Sequence, residues 1–166
     1  MWRPRATRHS KKMSVNLKFQ ADVNAFAQKL NVKLHTLTQH IVTRLHGDLG
    51  DATPYLTGRA RASWNISEDK VDPAPAPPLP FTFADQFNPT GAELAAANAF
   101  YDPIYEQKHA TQLSQLASVV FISNNVDYIE LLNAGWSKQA PPMFFEATVA
   151  NMENMVNQEI ARLAAT

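Results

Sequence analysis

Cysteine is missing from the chain. That excludes disulfide cross-links and thiolate chemistry, and it suits a reducing compartment or assembly inside a cell. No apolar run approaches the roughly 18 residues of a membrane span, and the N-terminus carries no secretory hydrophobic segment. Glycine is scarce as well. The five, at positions 47, 50, 58, 91 and 135, form neither a phosphate-binding loop nor a dinucleotide fingerprint. No cofactor is expected.

Catalytic signatures are equally thin. His35, His40 and His46 fall on one helical pattern, but His35 and His46 would lie about 16 Å apart along its axis and His40 about 140° around it. Metal ligands must converge within about 2 Å of one ion, so no metal site is expected and these read as surface histidines. There is no G-x-S-x-G elbow, and His109 follows a proline-containing stretch. Adjacent acids such as Glu68-Asp69 would point apart on a strand. The chain therefore reads as a non-enzyme. A small hydrolase stays open as a third reading, because triads are recognised by geometry rather than spacing.

What is present begins with a charge asymmetry. Residues 1–12 hold five of the 15 basic residues (Arg3, Arg5, Arg8, Lys11, Lys12) and no acid, so the rest of the chain sets 10 basic against 15 acidic residues, a balance of −5. Residues 1–13 read as a basic, disordered arm, with Met13-Ser14 as a second candidate start. An arm of this kind is the basis of an alternative function, a DNA-binding accessory protein. In the body Arg59 and Arg61 form the one close basic pair, on one strand face. A protein tracking a nucleic-acid groove normally offers many more positive contacts.

Residues 14–166 read as a single α+β domain. Phe19, Val23, Phe26, Leu30, Leu34, Leu37, Ile41 and Leu45 step by threes and fours, which predicts a long helix from about Ala21 to His46, ended by Gly47 and Gly50. At 1.5 Å per residue its apolar strip runs about 35–40 Å, longer than a small domain needs. Ala60, Ala62, Trp64 and Ile66 alternate with polar residues, which predicts a half-exposed antiparallel strand with Trp64 in the core. Residues 71–112 read as a Pro-rich inserted loop. Pro73, Pro75, Pro77, Pro78, Pro80 and Pro89 favour extended conformations, and Phe81, Phe83 and Phe87 need burial on some surface. A PxxP ligand is the lesser reading of this segment. "GAELAAANAF" offers one short helix inside it, after which "YDPIYEQKHATQ" reads as irregular.

Val119 to Ile122 predict a strand covered on both faces rather than a sheet edge, ended by Asn124 and Asn125. Asp127 with Glu130 resembles a capping arrangement for a short helix through Asn133, and Gly135 sits where a left-handed C-terminal residue belongs. Phe145, Val149, Met152, Val156, Ile160 and Leu163 predict one closing amphipathic helix from near Pro142. The expected architecture is a long N-terminal helix and a C-terminal helix packed on a small antiparallel β-sheet, with a long Pro-rich loop.

Three stretches taken together, "TPYLTGRARASWNIS", "VVFISNNVDYIELLNAGWSKQAP" and the closing helix, resemble the neck or tail-completion (head–tail joining) proteins of long-tailed bacteriophages. The resemblance is carried by Thr53-Pro54, Thr57-Gly58-Arg59, Trp64, Asn124-Asn125, Tyr128 and the loop from Gly135 to Pro141. The chain departs from the family pattern in its long Pro-rich loop and in Pro142-Met143, where small residues or glycine are commoner. The resemblance implies a structural virion protein without turnover, located at the head–tail junction and assembled in the host cytoplasm. It also implies a ring on the order of six or twelve copies. Partners would be further copies, head-closure or connector proteins, and tail terminator or tail tube proteins, with passing contact to genomic DNA and none to membrane. On this reading the contact residues are Arg59, Arg61, Phe81, Phe83, Tyr128, Trp136, Lys138 and Gln139. Trp136 packs on an adjacent subunit or on the long helix beside it, or else it plugs the domain's own core.

Overall fold

The computed structural model describes residues 34–114 and 119–165. The basic arm, the stripe from Phe19 to Leu30 and residues 115–118 lie outside that range. The fold is α+β. In order it comprises α1 (Leu34–Ala52), a helical turn α2 (Arg59–Ala62), β1 (Trp64–Glu68), α3 (Gly91–His109), β2 (Val120–Asn124), a short α4 (Ile129–Leu131) widening into a π-type turn (Leu132–Trp136), α5 (Phe144–Ala150) and α6 (Met152–Ala164). Among the described residues no helix is long and apolar enough to cross a membrane.

The apolar stripe of α1 divides between two cores. Leu37 and Ile41 meet Ile160, Val156 and Leu163 of α6, while Val42, Leu45 and Leu49 join Trp64, Val120, Ile122, Phe144 and Met155. Glu159 of α6 ties the outer rim of this helix pair, with Arg162 Nε at 2.9 Å and both Arg44 and His40 at 3.6 Å. α1 does not stop at its glycines. A Cβ on Gly50 would stand 2.3 Å from the Tyr105 hydroxyl and 2.7 Å from its ring carbons, so this glycine admits the neighbouring ring of α3 rather than breaking the helix. Gly47 similarly faces His109.

Three further elements differ from their sequence patterns. Arg59–Ala62 is helical, and the strand begins only at Trp64. Alternation of alanine with arginine satisfies a period of two without burying much, so tertiary contacts decide it. Next, α3 runs for 19 residues through Pro103, so much of the segment expected to be loop is helix. A capping box between Thr90 and Glu93 starts it. Ala97, Tyr101 and Tyr105, one turn apart, are buried and outweigh the one hydrogen bond that proline cannot donate. Finally, the closing amphipathic stripe is two helices, starting at Phe144 rather than Pro142 and interrupted at Asn151, where N–H donates to Thr148 three residues back. The Asp127–Glu130 cap does not form; Tyr128 is the N-cap, without a side-chain bond.

β1 and β2 pair antiparallel, Trp64 opposite Asn124 through Glu68 opposite Val120. Among the described residues the sheet has two strands, so β2 is largely buried but paired there on one side only. One face (Trp64, Ile66, Ile122) meets α1 and α5. The other, expected to be half-exposed, is roofed by the Pro-rich segment. Asn65 Nδ2 donates to the carbonyls of Asp72 (3.3 Å) and Ala74 (2.7 Å), and Ser123 Oγ donates to Asp72 (2.8 Å). Arg59 Nε and the Tyr101 hydroxyl take the carbonyls of Ala76 and Pro77. The amide donors of Asp72, Ala74 and Ala76 find Ser67 Oγ, Asp72 Oδ1 and Ser63 Oγ. Proline at 73, 75 and 77 has no donor to satisfy, so every amide donor from 72 to 77 is accounted for. The carbonyls of Asp72, Ala74, Ala76 and Pro77 are thus bound to the chain's own body.

Gly50→Ala is expected to cost about 1–3 kcal/mol by forcing Tyr105 out of its seat. The check is a urea titration in which the midpoint falls at unchanged slope.

Candidate functional site

The loop following α4 is built by one asparagine. The Asn133 side chain donates to both Glu146 carboxylate oxygens (3.1 and 2.8 Å) and accepts from Phe145 N–H (3.0 Å), while its carbonyl accepts from Met143 N–H (2.7 Å). Gly135, at φ 88°, reverses the chain as expected. A Cβ there would press on Pro142 at 3.0 Å, so glycine and proline close the loop against one another. Met143 takes φ 61°, a left-handed conformation that costs a non-glycine residue of order 1 kcal/mol and that the surrounding bonds must hold.

This frame presents Trp136 outward, 77% exposed. It is not a core plug. It lines a groove of about 500 Å³ with Pro54, Leu56, Tyr128, Leu132 and the Ser137–Gln139 strip. The opposite wall is the TPYLTG loop, pinned from behind. Tyr55 donates to Asp102 (2.7 Å), and Asn98, with its amide nitrogen turned toward them, donates to the carbonyls of Leu56 (3.1 Å) and Thr57 (3.0 Å). Thr53 hydroxyl donates to Leu49 (2.6 Å) and accepts from the Trp64 indole N–H (2.8 Å). Burial holds the half-buried Tyr128 phenol above its ordinary range, so it stays neutral.

Of the residues expected at contacts, Tyr128, Trp136, Lys138 and Gln139 come together on this groove. Arg59 and Arg61 do not share a face, because a helical turn sends them about 200° apart. Arg59 holds the Pro-rich roof. Arg61 lies over the Tyr105 ring at 4.1 Å and pairs with Asp51 at 3.3 Å. Phe81 and Phe83 are half-buried and pack edge to face on each other at 6.1 Å, and neither lines the groove. Leu56, 54% exposed on its wall, escaped sequence reasoning because a lone leucine in a loop carries no pattern. Asn133 escaped it too, although an asparagine two residues before a helix-ending glycine is the signal that could have found it.

The histidines are not all at the surface. His46 is fully buried, stacked on Tyr105 at 5.1 Å, with Nε2–H donating to the Trp64 carbonyl (3.2 Å) and Nδ1 facing His109 Nδ1 at 3.2 Å. Since the carbonyl can only accept, His46 carries its proton on Nε2 and accepts at Nδ1 from His109. Burial lowers the His46 pKa to about 4; the Trp64 carbonyl opposes this, and the charges near His109, Lys108 and Arg61 reinforce it. His109, expected in an irregular stretch, ends α3 and is engaged by His46 and Tyr105. Among the described residues no three metal-ligating side chains converge.

Comparison with known proteins gives no match: no family model, no curated protein and no solved structure is similar to this chain.

Two outcomes follow from this geometry. Trp136→Ala should leave unfolding free energy within about 0.5 kcal/mol of the parent, because the ring is exposed, whereas Asn133→Ala should cost about 1–3 kcal/mol through the orphaned amide partners. Chemical denaturation of the pair checks both. For His46, the folded pKa lies below the unfolded value of 6.5, so the unfolded chain binds the extra proton. Stability is then complete above about pH 6.5, declines by up to about 3 kcal/mol as pH falls toward 4, and levels off below. A pH series of unfolding midpoints should show that slope, and His46→Gln should flatten it.

Proposed function

We propose that this chain is a structural virion protein of a long-tailed bacteriophage, an oligomeric neck or tail-completion component that joins the capsid connector to the tail around the path of DNA. The observation that carries the reading is Trp136, a large apolar ring held outward by a hydrogen-bonded frame rather than buried. The motifs that resemble the neck proteins supply its two walls: TPYLTG on one side and the Gly135–Pro141 loop on the other. An exposed aromatic on a rigid corner beside an apolar groove suits a protein–protein contact, where aromatic side chains are enriched. It does not suit turnover, for which the surrounding side chains offer no activated nucleophile. Rings close through heterologous contacts, in which one surface of each subunit meets a different surface of the next. Connector proteins on one side and tail terminator or tube proteins on the other are the expected neighbours. The rival reading, a DNA-binding accessory protein, depends on Arg3, Arg5, Arg8, Lys11 and Lys12.

Sedimentation and electron-microscopic class averages of the purified chain should reveal a closed ring, and antibody labelling should place it at the head–tail junction of the phage that encodes it. Absence from those virions would overturn the reading. DNA affinity that is tight, steeply salt-dependent and abolished when the chain starts at Met13 would favour the rival.

A further inference from the structure

The groove beside Trp136 has a counterpart on the same chain. Phe87 is 92% exposed, more than any other large apolar side chain among the described residues. It is not on a loose loop. Asp85 Oδ1 accepts from Phe87 N–H (2.8 Å) and Asn88 N–H (3.3 Å), and the Asn88 amide reaches Asp85 Oδ2 (3.4 Å). The Glu93 carboxylate, already capping α3, accepts from Ala84 N–H (2.7 Å). The Ala84 bond fastens the turn to the first turn of α3 and the Asp85 bonds close the turn on itself, so the phenyl ring is presented at little further entropic cost on binding.

The knob does not occupy its own groove: Phe87 is exposed and does not line it. It precedes Gly91 at the start of α3, whereas the residue of that helix that braces the groove wall, Asn98, lies about 10 Å further along. The chemistry of the two surfaces is complementary. The groove offers Leu56, Leu132, Tyr128 and the Trp136 face to an aromatic ring, and its volume of about 500 Å³ exceeds what one ring fills. Charge agrees with shape. Lys138 lines the groove, and two residues from Phe87 stands the Asp85 carboxylate, held below its usual range by the Phe87 and Asn88 bonds.

We propose that Phe87 of one copy inserts into the Trp136 groove of a second copy, with Asp85 set against Lys138, joining the chains head to tail. Because knob and groove are different surfaces, the contact repeats from copy to copy and closes wherever the rotation allows. The inference deepens the ring reading above and rests on it for its setting, but the contact itself is testable alone.

The experiment uses the full chain with Phe87→Ser, Trp136→Ala and an equimolar mixture of the two, followed by sedimentation velocity from low to high micromolar concentration. Both replaced rings are exposed, so thermal melts should match the parent. Each single variant is expected to weaken self-association about tenfold or more. The mixture should give a dimer and nothing larger, since one copy supplies only a groove and the other only a knob. A photo-crosslinking phenylalanine at position 87 should label segments 54–60 or 136–139 of another copy. Variants that assemble like the parent, or labels confined to the same chain, would overturn the contact while leaving the ring reading intact. A parent chain that is monomeric at every concentration would overturn it too, with virion labelling then deciding the neck reading separately. Self-association by this contact in a chain absent from virions would leave the contact standing and remove the neck role.

Discussion

Trp64 is where three parts of the molecule are made one. Its indole N–H donates to Thr53 at the end of α1, its backbone carbonyl receives buried His46, its ring stacks with Phe145 of α5 at 6.2 Å, and its own residue opens β1. Burying an aromatic of roughly 200 Å² removes about 5 kcal/mol of apolar exposure, and the indole donor is satisfied as well. Because Thr53 also closes the last turn of α1, the turn that carries the TPYLTG wall leaves the helix in a fixed direction. The outer groove is therefore referenced to the core through the buried Trp64–Thr53 bond, with the Asp102 and Asn98 bonds holding the same wall from behind.

The long elements were legible because their burial is periodic. Leu37, Ile41 and Leu45 announce α1, and Val156, Ile160 and Leu163 announce the end of α6. The Val120–Ile122 run declares a buried strand. What was not legible were the exceptions to local propensity. Gly47 and Gly50 read as breakers, yet they sit mid-helix because rings from α3 occupy the space a Cβ would need. Pro103 reads as a stop, yet the tyrosines flanking it in the next turns bury enough surface to carry the helix through. Ala60 and Ala62 mimic a strand because alanine fits either period. In each case the deciding partner is distant in sequence.

The site divides in the same way. Tyr128, Trp136, Lys138 and Gln139 lie within one short stretch, and Gly135 alone announces that this stretch must turn, so their convergence could be read. Arg59 and Arg61 depended on a strand that proved to be a helical turn, and their separation followed. Leu56 and Asn133 act through neighbours that only the folded chain supplies. His46 looked like a surface histidine because its helical position relative to α3 is invisible until Tyr105 and His109 are placed.

The roof over the sheet has a consequence for how such molecules meet. Alternate prolines from Pro73 to Pro77 leave that strip with carbonyls and almost no amide donors, and the carbonyls of Asp72, Ala74, Ala76 and Pro77 are already claimed by Asn65, Ser123, Arg59 and Tyr101. A strip of this kind can lie along a sheet but cannot extend it, since ladder growth needs donors as well as acceptors. The strip itself thereby offers a neighbour no template for strand addition. Along this strip a second copy can be recognised by side chains, which can be specific, but not by a backbone ladder, which is not.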